Sequence, residues 1–142
     1  IGSDYLKNFY GPEVEKKYVN MILSFLKKIK NHNIDVIWFG PQPQPNIKMN
    51  YKFLRSIKAN NFNFFSLKHI IKVDKYMKKV ANENDIKYIS KLEIIKFNPQ
   101  TDYYIDNNLT YSDSDHWSLF GEKYFGKQIL NSQKFIEYFY KQ

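Results

Sequence analysis

The sequence predicts an α/β domain in which helices cover a small parallel sheet. Three observations carry that expectation. Residues 12–30 and 67–83 hold apolar side chains in steps of three and four, the period of a helix with one buried face. Each is followed, after a polar break, by a short β-branched and aromatic run, residues 34–39 and then 86–90, of the kind buried in parallel sheets. The helix-then-strand pair occurs twice, and strands joined through a helix pack in parallel beneath it.

In the first helix the stripe is Val14, Tyr18, Ile22, Phe25 or Leu26, and Ile29. Pro12 suits the first turn, and Glu13 and Glu15 suit the positive end of the helix dipole. Asn31-His32-Asn33 breaks the helix, with His32 a favourable partner for its C-terminus and no catalytic candidate. The strand 34–39 stops at Gly40-Pro41. Gln42-Pro43-Gln44-Pro45-Asn46 then forms a stiff loop at the carboxyl end of that strand, the edge where open α/β sheets bind ligands. It is either a plain turn or one wall of the crevice. The second helix runs through Ile70, Ile71, Val73, Met77 and Val80 to Asn84-Asp85, with His69 a surface residue beside Lys68 and Lys72. From 97 to 112 no period holds, and long irregular stretches in compact domains are usually lids or binding loops. Tyr103 and Tyr104 lie there, as substrate-stacking residues or as core filling. Residues 117–131 make the last clear helix, and 135–140 an aromatic tail packing on the sheet.

Composition bounds the function. A chain of 142 residues makes a single domain with a real core, and 43% hydrophobic with 18% aromatic content excludes disorder. No stretch approaches the roughly 20 apolar residues that span a bilayer, and no signal peptide is visible. Any targeting or membrane region is therefore expected outside these residues. The absence of cysteine rules out a disulfide framework and a thiolate nucleophile, and argues against structural zinc. The net charge of +8 comes almost wholly from lysines, many at solvent-face spacings, and Arg55 is the only arginine. Sequence-specific nucleic-acid readers favour arginine, so no nucleic-acid partner is expected. An electrostatic bias toward an anionic membrane or an acidic glycan fits better.

The chemistry-bearing stretch is Tyr111-Ser112-Asp113-Ser114-Asp115-His116-Trp117-Ser118-Leu119-Phe120-Gly121. An imidazole works as a general base when a carboxylate holds its Nδ1–H and leaves Nε2 for a nucleophile's proton. Asp113, three residues before His116, can do so within one turn; Asp115 is the reserve. Ser118 can cap the next helix, and Gly121 permits close packing. The bland alternative makes these acidic and hydroxyl residues helix caps and His116 a surface histidine.

This block resembles the last conserved block of the SGNH (GDSL-like) hydrolase superfamily, more narrowly the SGNH domains attached to bacterial membrane acyltransferases that O-acylate surface polysaccharides. The resemblance extends over residues 2 to 131, though only 113–121 is specific. It implies a flavodoxin-like fold, with Asp113 and His116 as two members of a Ser-His-Asp triad. The family's nucleophile lies in a Gly-Asp-Ser block, which does not occur here. Ile1-Gly2-Ser3-Asp4-Tyr5 is nearer the Gly-x-Asn-Asp block, with Gly2 in place and Asp4 where the oxyanion-hole asparagine belongs; a carboxylate donates no hydrogen bond unless protonated. Gly2-Ser3 is otherwise a cloning remnant. The chain thus resembles the C-terminal two thirds of an SGNH domain, its N-terminal strand and serine lying elsewhere.

The function this implies is O-acyl (acetyl) transfer to, or ester hydrolysis on, a bacterial surface polysaccharide, in the cell envelope. It needs no metal or organic cofactor. The implied partners are an acyl donor, a glycan acceptor and a membrane acyltransferase domain in the same full-length protein. A non-catalytic glycan-binding module on the same fold is the alternative, and a basic adaptor docking protein or anionic lipid a third.

Overall fold

A computed structural model describes residues 12–43, 65–98, 101–113 and 116–140, the side chains of 12–15 and 65–69 left aside. The elements in chain order are α1 (Pro12–Lys30), β1 (Ile37–Phe39), α2 (Phe65–Glu83), β2 (Lys87–Ile89), α3 (Lys91–Ile95), β3 (Tyr104–Ile105), β4 (Asn108–Leu109), α4 (Leu119–Leu130) and α5 (Gln133–Tyr140).

β1 and β2 are parallel neighbours, with Ile37 opposite Lys87, Trp38 opposite Tyr88 and Phe39 opposite Ile89. Each is shorter than the apolar run that announces it. The chain enters both strands in the same way. After α1, Asn33 adopts a left-handed backbone (φ 59°), and after α2, Asp85 does the same (φ 54°). Asn and Asp tolerate that conformation, which turns the chain off the helix.

The helices cover the sheet through one core of Val19, Trp38, Met77, Val80, Ala81, Ile86 and Tyr88, with Leu23, Leu26, Val36, Val73 and Tyr76 packed against it. The buried face of α1 therefore differs from the one expected. Val19 and Leu23 face inward together with Leu26, one of the two alternatives in the expected stripe, whereas Tyr18, Ile22 and Phe25 are exposed. The helix carries two apolar stripes, and periodicity alone does not say which meets the sheet. On α2, Ile70 is buried and Ile71 exposed.

A second core is aromatic: Ile95, Phe97, Tyr103, Tyr111, Phe125 and Ile129, with Trp117 and Phe135 at its margin. It fills the space beneath the stretch expected to be irregular. That stretch instead holds an antiparallel hairpin, with Tyr104 opposite Leu109 and Ile105 opposite Asn108. Its two turn residues, Asp106 (φ 48°) and Asn107 (φ 61°), are both left-handed, as a tight two-residue hairpin turn requires. Strands of two residues show no period, which is why the sequence reads as loop. The aromatic tail is the helix α5, whose Phe135 comes within 6.5 Å, ring to ring, of Phe39 at the end of β1.

Candidate active site

The carboxyl ends of the two parallel strands are built on a buried carboxylate. Asp74 of α2 accepts hydrogen bonds from the Tyr88 hydroxyl (2.8 Å) and the Ser90 hydroxyl (2.8 Å). Gly40, directly after β1, lies so close that a Cβ there would stand 2.3 Å from both Asp74 Oδ1 and Tyr88 Oη. Burial, then the bond to Asp74, raises the Tyr88 phenol above its ordinary range. Ser90 also caps α3, accepting from the Glu93 amide at 3.1 Å.

Both strands lead into residues that meet the two flanks of the Asp113–His116 segment. Beyond β1, the Pro43 carbonyl accepts the buried hydroxyl of Tyr111. Beyond β2, Lys91 Nζ stands 5.9 Å from the centroid of the Trp117 ring, and burial lowers its pKa. Tyr111 and Trp117 form an isolated antiparallel bridge. The Ser112 amide donates to the His116 carbonyl (3.0 Å), and the Ser118 amide to the Thr110 carbonyl (2.9 Å). The two ends of the Asp113–His116 loop are thus held at the carboxyl edge of the sheet, where open α/β folds place ligands.

Inside that loop the Asp113 carboxylate meets the His116 ring. Nδ1 lies 2.8 Å from Oδ2 and 3.0 Å from Oδ1, while the His116 amide donates to Oδ1 at 2.7 Å. Capping and ring-holding are therefore not alternatives here, since one carboxylate does both. With the proton on Nδ1, the carboxylate fixes that tautomer and Nε2 is the basic nitrogen. The side chains are 77% (His116) and 53% (Asp113) exposed, so the pair stands at the surface.

The loop's far end is anchored as the sequence suggests. Ser118 is the N-cap of α4, accepting from the Gly121 amide at 3.0 Å and donating to the Leu109 carbonyl. A Cβ on Gly121 would stand 1.9 Å from the Thr110 carbonyl oxygen, so only glycine lets α4 pack this closely.

Other candidates fare differently. Tyr103 is 4% exposed and packs edge-on against Phe97 (5.2 Å), so it fills the core and offers no surface to a sugar. Tyr104, on the other face of its strand, is 46% exposed. Gly2, Ser3, Asp4, Asp115 and residues 44–46 lie outside the described residues, as does the side chain of His69. Asp74 and Lys91 escaped the sequence reading. A charged residue on an amphipathic helix reads as solvent-facing, and the signal that could have placed Asp74 is its fourfold spacing from buried Ile70 on one face. Among the described residues no helix is long and apolar enough to cross a membrane.

A family model for the SGNH domain (fused to AT3 domains) matches residues 2–131. The chain belongs to that family. No curated protein and no solved structure matches it. The matched span takes in both parallel strands, the Asp113–His116 loop and all of α4. AT3 is an acyltransferase domain, and an SGNH domain fused to it belongs to acyltransferase- or esterase-related chemistry.

Proposed function

We propose that the complete protein performs O-acyl (acetyl) transfer to, or ester hydrolysis on, a bacterial surface polysaccharide, as an envelope domain of a membrane acyltransferase. In this reading residues 1–142 form one domain, the C-terminal two thirds of a flavodoxin-like SGNH fold. A serine on an upstream strand attacks the donor's acyl carbon, His116 takes its proton through Nε2 and returns it to the donor's leaving group as that bond breaks, and Asp113 orients the ring and stabilises the imidazolium. A glycan hydroxyl or water then attacks the acyl-serine, His116 taking its proton and passing it to the serine oxygen as the acyl–serine bond breaks. The observation that carries the reading is the Asp113 carboxylate on His116 Nδ1, with the flanking Tyr111 and Trp117 paired beside the carboxyl ends of β1 and β2.

The test is hydrolysis of p-nitrophenyl acetate. Residues 1–142 alone should be no more active than their own His116→Ala variant. A chain extended upstream through a Gly-Asp-Ser segment should gain activity that His116→Ala and Asp113→Asn both abolish. Robust activity from residues 1–142 alone would place the serine within them, with Ser3 the first to replace. No activity from the extended chain would favour a glycan-binding module.

A further inference from the structure

Besides its inward stripe, α1 carries a second apolar band. Tyr18, Met21, Ile22 and Phe25 are 57, 61, 41 and 61% exposed. Their spacing of three and four makes them one continuous strip along the helix. Four large apolar side chains in a row form a patch, unlike the scattered apolar residues of an ordinary surface.

The charges around the band indicate what it meets. Lys17 lies one turn before Met21 and Lys28 one turn after Phe25, on the same side of the helix, and both are exposed. Neither makes an ion pair among the described residues. No acidic residue occurs between Lys16 and Lys30, and the chain as a whole carries +8. A strip of Tyr, Met, Ile and Phe with an ammonium at each end suits a bilayer interface. Its apolar side chains enter the headgroup boundary while lysines reach back to lipid phosphates. A protein partner would have to present an apolar groove with acidic groups at both ends, whereas an anionic bilayer offers both along its whole surface.

We propose that α1 lies on the surface of an anionic bilayer, with Tyr18, Met21, Ile22 and Phe25 in the headgroup boundary and Lys17 and Lys28 at the phosphates. The proposal rests on the reading of the domain as the neighbour of a membrane acyltransferase, and it gives that neighbour a fixed face toward the lipid.

Co-sedimentation with vesicles tests it. The protein should bind vesicles of equal phosphatidylglycerol and phosphatidylcholine, and bind pure phosphatidylcholine weakly. The double variant Met21→Ser/Phe25→Ser should lose roughly tenfold or more in partitioning. The double variant Lys17→Gln/Lys28→Gln should lose about fivefold per lysine on anionic vesicles and little on neutral ones. All four side chains are exposed, so both variants should keep the circular dichroism and melting of the parent. Absence of binding to anionic vesicles, or equal binding by the Met21/Phe25 variant, would overturn the proposal. So would a concentration-dependent oligomer in sedimentation equilibrium that this variant abolishes, which would make the band a protein interface. No catalysis enters the assay. Esterase activity without vesicle binding would sink this proposal alone, and vesicle binding without activity would leave it standing.

Discussion

The hydroxyl of Tyr111 donates to the carbonyl of Pro43, joining the loop after β1 to the segment that leads into Asp113. Tyr111 is fully buried in the aromatic core, 5.6 Å from Phe97 ring to ring, so the bond is shielded from water. Removing it should matter twice. Tyr111→Phe leaves a buried carbonyl unsatisfied and should cost about 1–3 kcal/mol in urea unfolding. It should also speed amide exchange at Ser112, whose partner is the His116 carbonyl. Unchanged stability would show that the two loops hold their places without the bond.

Gly121 sets how closely α4 approaches Thr110. Because a Cβ would meet backbone oxygen at 1.9 Å, no side-chain rotation relieves the contact. Gly121→Ala should destabilise the domain by about 3 kcal/mol, the upper part of the overpacking range. A stability within about 0.5 kcal/mol of the parent, the usual scatter for a neutral surface change, would contradict the packing described.

The buried Asp74 accepts from two hydroxyls, so Asp74→Ala strands the Tyr88 and Ser90 donors together. Bonds to a charged acceptor contribute about 1.5–3 kcal/mol each, and the loss should be about 3 kcal/mol or more by chemical denaturation. Ser90→Ala removes one donor and the cap of α3, and should cost less.

Burial holds the phenols of Tyr88, Tyr103 and Tyr111 above their ordinary range. As pH rises, the unfolded chain loses these protons first, so the stabilisation is complete below the tyrosine range, near about 10, and is lost above it. Lys91, lowered by burial, acts in the opposite sense and gains stability toward the lysine range. Three groups against one set the sign. Urea midpoints should hold steady up to about pH 9.5 and then fall through about pH 11. A midpoint that rises over that interval would contradict the burial of these tyrosines.

The parts legible in the sequence are those with a long period or a strong local signal. The two covering helices, the parallel pair, the Ser118 cap and the close packing of Gly121 all follow from spacing and residue type. The orientation of α1 did not, because Tyr18–Ile22–Phe25 and Val19–Leu23–Leu26 are both helical stripes and only the packed sheet chooses between them. The β3–β4 hairpin is too short for a period, although Asp106-Asn107 is a dipeptide that tolerates two left-handed residues. Asp74 is hidden for a different reason. Its partners Tyr88 and Ser90 lie on another element, and only folding brings them within 2.8 Å. The Asp113–His116 pair was legible because it is local: three residues apart, it needs one turn and no tertiary contact to form.

In the proposed mechanism Asp113 and His116 act as one unit on a serine supplied from upstream. Residues that act as a unit are strongly non-additive. The most direct measurement is therefore kcat/KM for p-nitrophenyl acetate in the upstream-extended chain carrying Asp113→Asn, His116→Ala, or both. His116→Ala should lower the rate by several orders of magnitude, Asp113→Asn alone should cost a large fraction of that, and the double variant should be no slower than His116→Ala. Additive losses, or an Asp113→Asn variant as active as the parent, would contradict the mechanism.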